Sequence, residues 1–407
     1  MKIVIIGIFL AAMAFGFFLQ YLTYSRRNAE LPENVRDVFD EETYKRNQAY
    51  KMEKLRFSII SGIIGMVVTL AILLLNVHHM VYGVITAHTG NIYIMGLVVF
   101  LVPMVVAGVI GMVVGIYDTF VIEAKFGFNK STAATYVIDF MKMTLMIAIL
   151  GGGLLMLFLL MYGWLGDLVF LAFFFVLIAF QLFISFISPL LIRVIYKLTP
   201  LEDGELKEKI KALADKTGYK LKGIYMVDAS KRSTKLNAFA TGFGKTKTIG
   251  LFDTLVEKMT ADEIIAVLAH EIGHIKLRHI LKRVPLSLIS LAIMTLAAYF
   301  VVTMPQVSQA FGFADANVVF GVYVLFIMLS PIDRILDIPG NALSRKHEYE
   351  ADAFARDFSS SQTDIAEALK KMYKEDLGNL TPHPFVVMME YTHPPLHQRL
   401  AALQKDS

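Results

Sequence analysis

At 407 residues the chain is long enough for two or three soluble domains, yet 56% of its residues are hydrophobic and only 18% are charged, with a mean hydropathy of +0.57. That excess exceeds what one water-soluble core can bury, so a lipid bilayer must take part of it. The net charge of +4 is small and dispersed, which gives no footing for nucleic acid, and the lack of cysteine excludes structural disulfides and thiolate-bound metals.

Apolar stretches long enough to cross ~30 Å of hydrocarbon run over about 3–23, 57–86, 92–117, 143–164, 168–195, 284–304 and 317–333. The second and fifth are overlong, and the seventh breaks at Pro331 with Asp333 and Arg334 directly behind it. The first is followed by tyrosines and Arg26-Arg27 without a small-residue cleavage site, so it reads as a retained anchor. Segments 87–91, 165–167 and 305–316 contain no Lys or Arg, whereas 24–56 has eight, 118–142 has three and 196–283 is rich in both. The positive-inside rule then places the second group of segments in the cytoplasm. Polar residues, among them Asn76, His78 and Gln181, occur within the spans.

The charge-balanced stretch 24–56 reads as solvated helix, and 118–142 is too polar to span. Residues 196–283 form the main soluble insert: a helix near 203–217 ended by Gly218, a strand near 221–227, and a β-hairpin of 236–241 and 246–251 around Gly242-Phe243-Gly244-Lys245. An exposed edge strand there could pair with an extended peptide. The expected division is a five-span region over 1–195, the insert over 196–283, two spans over 284–333, and C-terminal helices over 334–407.

Within the insert, Ala261–Lys282 reads ADEIIAVLAHEIGHIKLRHILK and contains His270-Glu271-Ile272-Gly273-His274, an HExxH motif. Residues four apart on a helix differ by roughly 40° in azimuth, so His270 and His274 share a face and can grip one Zn²⁺. Glu271 lies beside the metal, where a carboxylate can take a proton from zinc-bound water. Thr260 and Glu263 have capping-box spacing. HExxH alone recurs by chance, and a catalytic zinc needs a third protein ligand. Glu348 is the best candidate, on a helix near 343–358 in the same compartment, with Glu350 its nearest competitor. Asp352, one turn on, could hold the second ring N–H of a ligand histidine. His347 reads as a surface residue and His279 as a membrane-interface one, while His78 and His79 fall at the wrong end of their span. His393 and Arg399 could each stabilise an oxyanion, or belong to an ordinary tail.

Together these residues resemble the Ste24-type integral-membrane zinc metalloproteases, the CAAX prenyl proteases of peptidase family M48. The resemblance is carried by Phe120–Thr132 (FVIEAKFGFNKST), Leu236–Phe243 (LNAFATGF), Leu251–Leu255 (LFDTL), His270–His274 (HEIGH), Ser344–Ala355 (SRKHEYEADAFA) and Thr392–Leu400 (THPPLHQRL). These blocks run in family order over nearly the whole chain. The resemblance implies one zinc per chain held by His270, His274 and Glu348, with Glu271 as catalytic base and Asp352 as the partner of a ligand histidine. It also implies that Asn237, His393 and Arg399 line the substrate and transition-state site. The implied fold is mainly α: seven transmembrane helices around an intramembrane chamber, with a cytoplasmic zincin-like α+β metalloprotease domain. Such a chamber implies that the polar residues within spans, Asn76, His78 and Gln181 among them, line a wet cavity.

Three functions follow as expectations. The first is a zinc endopeptidase acting near the C-terminus of CAAX-type prenylated or membrane-associated proteins. The second is a quality-control protease without prenyl specificity. The third is a non-catalytic chamber or transport protein with structural zinc, against which Glu271 argues, because a structural site needs no base. The C-terminal QKDS carries no dilysine retrieval signal, which points to a bacterial inner membrane before an ER one.

Overall fold

A computed structural model describes residues 1–241 and 247–405. Helix α1 (Lys2–Ser25) is a first span. Helix α2 (Glu41–Leu74) starts at Asp40, whose side chain accepts from the Thr43 N–H, and carries the charged stretch straight into the second span. The expected overlong span over 57–86 is instead two helices. Asn76 adopts a left-handed conformation (φ 52°), and α3 (Val77–Thr86) begins after it. Lys2 Nζ donates to Leu74 O and Asn76 Oδ1, satisfying polar groups freed by the break. Asn76 is thus part of a helix junction. His78 is also not a cavity residue: it is buried, with its ring 4.0 Å from that of Tyr323. Gln181 is exposed on its helix.

Helix α4 (Ile92–Tyr117) passes into a π-helical turn, Asp118–Glu123. That turn is anchored by Lys54, which donates to Asp118 and Glu123, and by the Tyr50 hydroxyl, which donates to Glu123. Helices α5 (Ala133–Leu165) and α6 (Val169–Ile195) are separated at Gly166, whose φ of 53° suits a residue without a Cβ, and they pack against each other.

The insert opens with β1 (Leu198–Pro200), a strand with no clear sequence signal, followed by α7 (Glu205–Thr217) and β2 (Gly223–Val227). Next come β3 (Ala238–Thr241) and β4 (Thr248–Phe252). They pair antiparallel in a sheet of order β1-β2-β4-β3, leaving β3 at an edge. The expected Gly242–Lys245 hairpin turn lies outside the described residues. Helix α8 (Asp253–Lys258) leads into α9 (Ala261–Lys276), the HExxH helix. Its capping box is complete: Thr260 accepts from the Glu263 N–H and Glu263 accepts from the Thr260 N–H. Residues Ile264 to Ala269 are all buried, so α9 runs through the main core against β3, α7 and the C-terminal helices.

Helix α10 (His279–Thr303) is a further span, α11 (Pro305–Gln309) is short, and α12 (Val318–Phe358) bends by 52° between Leu329 and Pro331. The break expected at Pro331 is therefore a kink in a long helix, caused by the missing proline N–H and ring clash. Helices α13 (Asp364–Glu375), α14 (Pro384–Glu390) and α15 (Leu396–Lys405) complete the chain. By length and composition five helical stretches qualify as spans, and a sixth forms if the two halves of α12 count as one. One of the five is the stretch Ala133–Ser188. Divided at Gly166 into α5 and α6, it yields the seven spans of a mainly α membrane protein bearing a small α+β domain.

Candidate metal centre and catalytic site

Two helices build the site. Helix α9 presents His270 and His274 on one face, and the C-terminal half of α12 packs along it. Gly273 permits the approach: a Cβ there would meet Phe354 of α12 at 3.2 Å, tighter than ordinary contact. With the helices this close, Glu348 reaches both histidines. Its Oε2 lies 3.4 Å from His270 Nε2 and its Oε1 3.3 Å from His274 Nε2. Glu350, the competing carboxylate, belongs to a different cluster.

The donor set fits a divalent cation. His270 Nδ1–H donates to Asp352 Oδ1 at 2.9 Å, because a carboxylate can only accept. The neutral ring then carries a lone pair on Nε2, which faces His274 Nε2 at 3.1 Å. Glu348 is 3% exposed and its Oε2 has no hydrogen-bond partner. Two imidazole Nε2 atoms and a buried carboxylate oxygen without a hydrogen-bond partner converge within 4.8 Å of one another, a donor set that suits a divalent cation. Burial works against a protonated His270, but its hydrogen bond to Asp352 and the neighbouring Glu348 carboxylate outweigh this and lift it to about 9; a metal ion takes the place of that proton.

Glu271 follows the first histidine. Burial raises its carboxyl above the usual range, opposed by His270 and His274, the direction that suits a general base working near neutrality. Arg399, on α15, is buried and holds Asp352 through two hydrogen bonds, Nε to Oδ2 at 2.7 Å and Nη2 to Oδ1 at 2.5 Å. Its Nη1 lies 3.7 Å from Glu348 Oε2. Arg399 therefore backs the two carboxylates, whereas the sequence suggested an oxyanion contact. His393 is exposed, with Nε2 3.4 Å from Glu348 Oε1 and Nδ1 2.9 Å from the Thr392 hydroxyl. Asn237 is also exposed, immediately before edge strand β3, with its carbonyl accepting from the Phe252 N–H. No hydrogen bond or ion pair joins Asn237 to the cluster among the described residues.

The structure adds two histidines that sequence reasoning placed elsewhere. His279 is buried, with its Nδ1 2.9 Å from His274 Nδ1. His347 is also buried, and its ring stacks on His279 at 4.0 Å and 3°. No local pattern announces these contacts, because a left-handed Arg278 (φ 58°) redirects the chain between His274 and His279.

Comparison with known proteins places this geometry in context. Residues 20–195 match the family described as CAAX prenyl protease N-terminal, five membrane helices, and residues 200–407 match peptidase family M48. The chain is 30% identical to CAAX prenyl protease 1 of Saccharomyces cerevisiae, over 99% of this chain and 95% of that one. It is 28% identical to the human CAAX prenyl protease 1 homolog, over 93% and 90% of the two chains. The crystal structure of S. mikatae Ste24p superposes with a TM-score of 0.93 at 29% identity, covering 99% of this chain and 98% of that one.

Proposed function

The chain belongs to peptidase family M48, and from that premise we propose that it hydrolyses peptide bonds near the C-terminus of CAAX-type prenylated, membrane-associated proteins. It is an integral, multi-pass membrane zinc metalloprotease. The substrate class rests on the names of relatives that the chain matches along nearly its whole length.

The observation that carries the mechanism is the convergence of His270 Nε2, His274 Nε2 and Glu348 with Glu271 adjoining. These three residues would hold the zinc, which when bound polarises the scissile carbonyl and acidifies water. Glu271 accepts the proton of the attacking water and delivers it to the leaving amine. Asp352 fixes the His270 ring by accepting its Nδ1–H, and Arg399 neutralises and orients Asp352. His393, exposed beside Glu348, is placed to donate to the oxygen that becomes negative in the tetrahedral intermediate. Edge strand β3, paired among the described residues with β4 alone and packed near α9, takes the extended peptide by main-chain pairing, and Asn237 at its start meets the peptide.

Lys/Arg-rich segments 24–56 and 196–283 favour a cytoplasmic active site. The four-part division at 195, 283 and 333 is retained as the working organisation.

The test is to give the purified protein two peptides of one sequence, farnesylated and unmodified at the CAAX cysteine. Faster tripeptide release from the farnesylated peptide is expected. Equal cleavage of both would overturn prenyl recognition in favour of quality-control proteolysis.

A further inference from the structure

His274 and His270 are held from behind by different means. His270 is tied to Asp352 and thence to Arg399. His274 Nδ1 instead faces His279 Nδ1 at 2.9 Å, and His279 Nε2 lies 3.0 Å from Glu350 Oε2. Lys282, one turn further along α10, donates to the same Oε2 at 3.1 Å. His279 and Lys282 lie outside the sequence blocks that carry the family resemblance, and Glu350 lies within one of them without being a proposed metal ligand.

The proton positions follow from the chemistry. For His274 Nε2 to offer a lone pair to a metal, the neutral ring must carry its proton on Nδ1. That N–H donates to His279 Nδ1, which must then be bare. His279 carries its own proton on Nε2 and donates it to Glu350, whose charge Lys282 compensates. We propose that His279 and Glu350 are positioning residues for the zinc site, a His274–His279–Glu350 relay that fixes the tautomer and orientation of His274 as Asp352 does for His270. The inference rests on His274 being a zinc ligand.

The surroundings are built to hold His279 in this role. The left-handed turn at Arg278 folds the start of α10 back onto α9. His347 stacks flat on the His279 ring, 4.0 Å away and 3° from parallel, which limits its rotation. His279, His347 and Glu350 are also close enough to suggest a second metal site. Two features argue against that. Stacked rings direct their nitrogen lone pairs within parallel planes, so one ion cannot lie in both. The relay also puts a proton on His279 Nε2 whenever His274 ligates.

The test measures the zinc dissociation constant of the full-length protein in detergent by chelator competition. His279→Asn retains an acceptor near the Nδ1 position and should stay within about threefold of wild type. His279→Phe retains the ring and its stacking on His347 but cannot accept, and should bind zinc about 10–100-fold more weakly. A packing role gives the opposite order, because Asn fills less of the site than Phe. Wild-type affinity for His279→Phe, or weaker binding by Asn than by Phe, overturns the relay. Should the His279 variants fail to fold, Glu350→Leu, at a partly exposed position, reads the same chain: several-fold weaker binding is expected, and unchanged affinity overturns it. His274→Ala separates the two readings. If it binds zinc as wild type does, the ligand assignment itself fails; if it loses zinc while His279→Phe does not, only the relay fails.

Discussion

Arg399 grips Asp352 through two hydrogen bonds, and Asp352 in turn receives the Nδ1–H of His270. The last helix of the chain thereby reaches the HExxH motif through a buried ion pair, which explains how a C-terminal arginine bears on a site more than a hundred residues earlier. Removing one partner of such a pair leaves an uncompensated buried charge, at a cost of about 3–5 kcal/mol. Arg399→Met should therefore lower the melting temperature and the zinc occupancy together, read by thermal denaturation and metal analysis. Asp352→Asn, which retains the shape but loses the charge, should weaken zinc binding by about 10–100-fold.

The separation of α9 and α12 is set at Gly273. Adding a methyl group there forces Phe354 to give way by a few tenths of an ångström. Overpacking a tight contact costs about 1–3 kcal/mol. Gly273→Ala should lower thermal stability by that amount and loosen zinc, because Glu348 moves away with α12. A combined Gly273→Ala, Phe354→Leu variant should recover part of both losses.

Much of this site was legible in the sequence, and the limits were physical. His270, His274 and Glu271 follow from helical periodicity within one element. Glu348 follows from the parity of spans, which returns α12 to the compartment of α9. The contacts of His279 and His347 depend instead on a left-handed backbone at Arg278 and on helix–helix packing, neither of which leaves a periodic signal. The same holds for Asn76, whose left-handed conformation divides an apolar run that hydropathy alone reads as continuous. Arg399 was recognisable as a site residue, but its partner was not, because an ion pair between distant helices carries no sequence spacing.

Asp376 provides a pH-dependent element away from the metal. Burial raises its carboxyl to about 6, opposed by the Leu236 N–H that it accepts and by Lys235. A folded-state value above the unfolded one means that folding favours the protonated form. Its contribution is fully present below about pH 4 and is lost as pH rises through about 6. Asp376→Asn keeps the acceptor for Leu236 without the charge, so it should flatten this part of the stability profile and raise the melting temperature at pH 7 by roughly 2 °C. Melting curves of both proteins from pH 4 to pH 8 check the sign.

Glu348 supplies the third metal contact through a carboxylate buried between two imidazoles. Glu348→Ala should reduce bound zinc from one per chain to a small fraction and abolish proteolysis. Glu350→Ala, which leaves that donor set whole, should retain most of the zinc under saturating metal. Metal analysis after gel filtration distinguishes them.

The most direct test of the account is Glu271→Gln, assayed beside wild type for bound zinc and for tripeptide release from a farnesylated CAAX peptide by mass spectrometry. Because Glu271 is assigned the proton transfer and not metal binding, the variant should hold one zinc per chain and release no tripeptide above background. Full activity in the Gln variant, with zinc bound, would contradict the mechanism.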